Sequence, residues 1–141
     1  MRTATVSISV AALLAFVAQA AMAEGDPTRR AKRLQPTEID AVSGFSVREY
    51  DLETGVYYRW RIAGDGIEEY EVAAEELFEN SWVDKVSAED ATIVAAEIEA
   101  IELDGNVEVD VWFVPIRPGD YRFGVEGREE DDGFSGVMHV R

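Results

Sequence analysis

No cysteine occurs among the 141 residues, and there is a single histidine, His139. Without a thiol the chain makes no disulfide, offers no thiolate nucleophile or metal ligand, and carries out no thiol redox chemistry. Beyond one imidazole nothing supports a Ser-His-Asp set, and no glycine loop with phosphate-cradling spacing is present. Paired carboxylates acting on glycosides need a cleft that about 100 residues rarely supply, so no enzymatic activity is expected. Positive charge is also scarce: 13 Lys and Arg stand against 29 Asp and Glu, for a net charge of −16. The deficit is uneven, because after Asp40 there are 8 basic and 25 acidic residues, a net charge of −17. A body this acidic repels nucleic acid and anionic lipid and stays in solution, and it favours cations or a basic protein partner.

Long hydrophobic runs are missing apart from one at the start. Arg2, the apolar run Val6 to Val17 and the small-residue set Ala21-Met22-Ala23 have the form of a secretory signal segment. Residues 1–23 are expected to be removed after Ala23, leaving a soluble, exported chain, periplasmic or secreted, with no membrane span. The 118 residues that then remain of 141 are one domain's worth, whose stability rests on burial and sheet hydrogen bonds. Residues 24–40 carry a short basic cluster, Arg29 to Arg33, between Pro27 and Pro36, and are expected to form a flexible leader ahead of a domain over residues 41–141.

Alternation of apolar and polar residues dominates that domain. In Val56 to Ile62, Val56, Tyr58, Trp60 and Ile62 share one face and Tyr57, Arg59 and Arg61 the other, which predicts a half-buried strand. Gly64-Asp65-Gly66 predicts a hairpin turn into a return strand Ile67 to Val72, placing Glu69 and Glu71 opposite Arg59 and Arg61. Ala73 to Phe78 predicts a short helical turn, and Trp82 to Val86, Thr92 to Val94 and Ile98 to Leu103 predict further strands. A phase change at Ala100-Ile101 predicts a bulge. Asp104-Gly105-Asn106 predicts a second hairpin, into Val107 to Val114, and Asp120 to Val125 and Gly136 to Arg141 complete the set. Many short strands and one helical turn indicate an all-β antiparallel sandwich.

Phe113-Val-Pro-Ile-Arg-Pro-Gly-Asp-Tyr-Arg-Phe123, followed by Gly133-Phe-Ser-Gly-Val-Met-His-Val140, resembles the C-terminal half of cupredoxins. Glu68-Glu69-Tyr70-Glu71 is a weaker match to that family's first ligand strand. The resemblance touches about a third of the mature chain and implies a cupredoxin-like Greek-key β-sandwich with one short helix. It also locates the ligand positions, and none is retained: Glu68 stands for the first histidine, Val125 for the cysteine and Phe134 for the methionine. Arg128 lies in the loop that would carry the second histidine. A type 1 copper site takes two imidazoles and a thiolate, so blue-copper electron transfer is excluded by composition. The resemblance implies a retained scaffold with a rebuilt corner, in which an inward-pointing Glu68 pairs with Arg128 to avoid an unpaired buried carboxylate.

Other cation sites are weaker. Met138 and His139 are adjacent on a strand and so point to opposite faces. Glu129, Glu130, Asp131 and Asp132, with Glu126, crowd one loop, but their spacing departs from a calcium-binding loop and reads first as a solvated charge run. The expectation is therefore an exported binding or accessory domain without a cofactor, acting on a protein partner, with Tyr57, Trp112 and Phe134 as candidate contact side chains. The alternative is a protein that holds copper or calcium through these carboxylates and His139.

Overall fold

A computed structural model describes residues 30–89, 91–93 and 98–141. The expected signal segment, Arg29 and the start of the leader lie outside the described residues, as does Val94. The strands are β1 (Lys32–Arg33), β2 (Thr37–Asp40), β3 (Gly44–Phe45), β4 (Glu49–Leu52), β5 (Tyr58–Gly64), β6 (Tyr70–Ala73), β7 (Ser81–Ala88), β8 (Ala91–Ile93), β9 (Ala100–Leu103), β10 (Glu108–Pro115), β11 (Gly119–Val125) and β12 (Ser135–Val140). Among the described residues there is one helix, α1 (Glu75–Glu79), which starts with Glu75 and Glu76 at its positive end and buries Leu77 and Phe78, as its helix formers predict. Among the described residues no helix is long and apolar enough to cross a membrane.

Two sheets form a sandwich. The first runs β3-β2-β5-β10-β7-β8, with β1 also along β5, and the second runs β4-β12-β11-β6-β9. Pairing is not antiparallel throughout as expected, because β1 and β2 run parallel to β5 and β4 runs parallel to β12. Between the sheets lie Trp60, Phe123, Tyr50 and Phe45, with Trp60 and Phe123 edge to face at 5.2 Å.

The expected leader does not end at residue 40. Lys32, Arg33 and Thr37 to Asp40 are sheet residues, and Ile39 is buried in the core. Thr37, wholly buried, accepts the Trp60 indole N–H at 2.7 Å and shares a short hydrogen bond with the Tyr50 hydroxyl. Tyr50 in turn donates to the Gln35 carbonyl at 2.8 Å. Composition hid this, because a strand of four residues flanked by basic residues and proline has too short an apolar pattern to register.

Both predicted hairpins are instead crossovers between the sheets. β5 pairs with β10, while β6 pairs with β9 and β11, so Glu69 and Glu71 do not face Arg59 and Arg61. Asp110 does, directly across from Arg61. The second predicted turn leads likewise from β9 in one sheet to β10 in the other. Gly66 and Gly105 take the positive φ of 76° and 80° expected of Asp-Gly turns, and the two corners meet, with Gly64 N–H donating to the Val107 carbonyl at 3.2 Å. Turn chemistry thus specified a reversal but not which sheet receives the returning strand. The bulge expected at Ala100-Ile101 is absent from the continuous β6–β9 register. The register shift falls between Trp112 and Phe113 where β10 meets β7.

Candidate functional site

The β5–β6 crossover, the β2–β3 turn and the β11–β12 loop converge at one end of the sandwich. Asp65 ties the first two together: one carboxylate oxygen accepts Ala41 N–H at 2.9 Å, and the other accepts Ile67 N–H at 2.9 Å and the Tyr70 hydroxyl at 3.0 Å. These bonds, the Ile67 N–H first, hold the Asp65 carboxyl below its usual range. Burial, then hydrogen bonding to Asp65, pushes the Tyr70 hydroxyl up. The third segment is anchored by backbone: Phe45 N–H donates to the Gly133 carbonyl at 2.8 Å. Gly44 and Gly133 permit that approach, since a Cβ on Gly44 would lie 2.2 Å from the Gly133 oxygen and both residues have positive φ.

The four positions singled out by the resemblance meet here. Val125 and Phe134 are buried and joined by a 3.0 Å bond from Val125 N–H to the Phe134 carbonyl. Arg128 lies with its guanidinium carbon 3.6 Å from the centre of the Phe134 ring. Its Nη1 donates to Glu68 Oε2 at 3.0 Å and its Nε to Asp131 Oδ2 at 3.0 Å, and both Nη atoms approach the Ala41 carbonyl at 3.4 Å. The Glu68–Arg128 pair forms as expected, but Glu68 does not point inward. It sits on a bend with its side chain half-exposed, and Arg128 bridges from that rim to the buried Phe134. Phe134, expected to be exposed, is 1% exposed. Two apolar side chains that sequence reasoning passed over flank the pair: Val42, 89% exposed, and Ile67, 74% exposed. Val42 stands alone in a polar turn and carries no signal, and Ile67 was assigned to the return strand, which begins only at Tyr70.

The remaining cation candidates are dispersed. Asp131 is taken by Arg128, Asp132 lies 3.3 Å from Arg48, Glu129 folds over Gly124 and Glu130 points to solvent. His139 stands on the outer face of the second sheet, five residues and about 16 Å of extended chain from Phe134. Its Nδ1 lies 2.7 Å from Asp120 Oδ1, and Arg141 donates to the same oxygen at 2.7 Å. Those two hydrogen bonds, His139 first, hold the Asp120 carboxyl below its usual range. Met138 faces the opposite way, into the core. Among the described residues no three His, Asp or Glu side chains stand in metal-binding geometry. At the corner Arg128 lies against Phe134 and Val125, and its guanidinium already engages the carboxylates of Glu68 and Asp131; no thiolate or imidazole of a type 1 site stands there.

On the outer face of the first sheet, Tyr57 and Trp112 are both half-buried. Tyr57 donates to Asp84 Oδ2 at 2.6 Å, and Trp112 lies between Arg59 at 5.2 Å and Lys85 at 4.8 Å. Beside them the sequence reading missed Asp110, 8% exposed, which accepts from Arg61 Nε and Nη2 at 3.0 Å each and from Arg59 Nη2. The wrong hairpin concealed it by assigning both arginines to other carboxylates.

No family model and no curated protein matches the sequence. Solved structures match the fold. A multicopper oxidase from Campylobacter jejuni, a metallo-oxidase, aligns with TM-score 0.57 and 13% identity over 82% of this chain and 31% of its own. The multicopper oxidase of Pseudomonas thermotolerans gives 0.59 and 16% over 79% and 30%. Auracyanin from Roseiflexus castenholzii gives 0.52 and 15% over 79% of this chain and 99% of its own. The chain therefore spans about a third of the length of the two oxidases and nearly the whole of auracyanin. At these identities the likeness shows the fold alone: a cupredoxin-like β-sandwich, here without the ligands of a type 1 centre.

Proposed function

We propose that this cupredoxin-like sandwich is an exported, non-redox accessory domain that works by binding a protein partner. The observation that supports this most is the occupant of the corner. Arg128 bridges Glu68 and Asp131 while covering Phe134, so the loops that would carry ligands are cross-linked by charge around an apolar floor. A cation-binding corner would have to release this guanidinium first, losing its ion pairs and its stacking. The cleavage pattern at Ala23 supports export to the periplasm or exterior.

Metal analysis and calorimetric titration of the exported chain with Cu(I), Cu(II) and Ca²⁺ test the proposal. The expected result is no tight stoichiometric binding and an N-terminus at Glu24. Tight binding of one ion, abolished by Glu68→Ala or His139→Ala, would replace it with the metal-holding alternative.

A further inference from the structure

The outer face of the first sheet carries an ordered basic and aromatic row on an otherwise acidic body. Arg33 pairs across to Arg59, Arg59 to Trp112 and Trp112 to Lys85, so four adjacent strands present cation, cation, indole and cation in one line. Next to it, Val114 is flanked by Tyr57 on one side and by its pairing partner Trp82 on the other. Val114 is buried on this outer face, and Trp82 is 45% exposed. The register shift between Trp112 and Phe113 adds one residue to β7, which brings both Asp84 and Lys85 to this face, one onto Tyr57 and the other onto Trp112.

Most charges here are already used. Asp110 and Glu108 are paired with Arg59 and Arg61, whereas Asp84 accepts from the neutral Tyr57 hydroxyl and keeps its charge beside Lys85. At the two ends of the row, Arg33 and Lys85 have no carboxylate within ion-pair reach among the described residues. Four of the eleven Lys and Arg residues from Arg30 to Arg141 belong to this face, Arg33, Arg59, Arg61 and Lys85, while Lys32 alternates to the other side and lies over the Tyr58 ring. At physiological salt, exposed charges more than about 8 Å away through solvent are largely screened, so carboxylates elsewhere on the body weigh less on a ligand here than Arg33 and Lys85 beside it. The surrounding acidity instead restricts an acidic ligand to this one face.

From this row we infer that the outer face of the first sheet docks an extended acidic segment of a partner protein. The dimensions specify it further. Three interstrand steps place Arg33 and Lys85 about 14 Å apart, which an extended chain spans between carboxylates at positions i and i+4, about 13 Å. The intervening residue i+2 shares their side and meets Trp112, so an aromatic residue belongs there. Trp82 and Tyr57 extend the apolar floor beside it. The inference rests on the partner-binding reading above and names the surface and the chemistry that reading leaves open.

A labelled peptide with the core Glu-Ser-Phe-Ser-Glu, titrated by fluorescence anisotropy against the exported chain, provides the test. Binding is expected to weaken at least about fivefold in Arg33→Glu and again in Lys85→Glu, and about tenfold for the rearranged core Glu-Glu-Ser-Phe-Ser. Arg122→Glu, on the other sheet, is expected to leave it unchanged. Circular dichroism of each variant separates lost binding from lost folding. Absence of binding by the unaltered chain, equal binding of the rearranged peptide, or indifference to both reversals would overturn the inference. So would heparin bound with the same dependence on Arg33 and Lys85 while the peptide is not. Loss of peptide binding in Ile67→Asp alone would move docking to the corner and leave the accessory-domain reading standing. A stoichiometric metal in the titrations above would remove that reading itself.

Discussion

Replacing Asp110 by asparagine should be among the costliest polar substitutions in this protein, because its nearly buried carboxylate holds two arginines. The side chain of Asp110 is 12% exposed, that of Arg59 is 21% and that of Arg61 is 35%. Arg61 retains Glu108 at 2.9 Å after the change, so most of the loss falls on Arg59, whose Nε is already buried without a partner. Breaking a fully buried pair costs about 3–5 kcal/mol; partial access of water to both guanidinium groups lowers this to about 2–3 kcal/mol. For a domain of this size that corresponds to a fall in Tm of roughly 8–12 °C. Burial pushes the Asp110 carboxyl up, but hydrogen bonds from Arg61 and Arg59 and their charge outweigh it and hold the group below its usual range. A depressed carboxyl contributes stability that is complete above the unfolded value of about 3.9 and is lost as pH falls through the folded value. Urea unfolding of Asp110→Asn and the parent chain at pH 7, followed by tryptophan fluorescence, should show the full difference, and at about pH 2.5 it should shrink. A difference under about 0.5 kcal/mol at pH 7, or one that persists undiminished in acid, would refute the reasoning.

Thr37→Val keeps the shape of a buried side chain but removes the acceptor of the Trp60 indole N–H, while Tyr50 keeps the Gln35 carbonyl. It should cost about 1–3 kcal/mol in the same urea assay, and a change within about 0.5 kcal/mol would show that the indole finds another partner. Glu71 titrates the other way: the negative charge of Glu126 first, then burial, a hydrogen bond shared with Glu126 and the charge of Glu102 raise its carboxyl. A raised carboxyl opposes folding increasingly as pH climbs from the ordinary carboxylate range through the folded value, so Glu71→Gln should raise the Tm at pH 7 and not at pH 4. Thermal melts at the two pH values check this, and a gain of equal size at both would point away from charge repulsion.

How much of this was legible beforehand follows from the range of the forces involved. The strands from Tyr58 onward were readable because alternation is local, and Tyr58, Trp60 and Ile62 are wholly buried as their spacing predicts; β1 to β4, of two to four residues each, were too short to register. The Pro118-Gly119-Asp120-Tyr121 motif also has a local explanation. A Cβ on Gly119 would lie 2.8 Å from the Tyr121 ring, whose hydroxyl folds back onto the Arg117 carbonyl at 3.1 Å. The corner was readable in its membership, since motif spacing brought Glu68, Val125, Arg128 and Phe134 to one place. It was misread in its depth, with Glu68 at the rim and Phe134 beneath Arg128.

By itself the sequence determined what chemistry is impossible, because ligands that are absent cannot be supplied by folding: no cysteine and one histidine exclude a type 1 copper centre whatever the fold. It also determined the turns and the inward faces, both of which depend on neighbours a few residues away. Only the tertiary structure decided which sheet each strand joins, and with it every charge pairing between strands. An Asp-Gly corner is equally content to turn within a sheet or between two, so the choice is made by burial over the whole sandwich. That choice took Arg59 and Arg61 from Glu69 and Glu71 to Asp110 and set Arg33, Trp112 and Lys85 in line beside them.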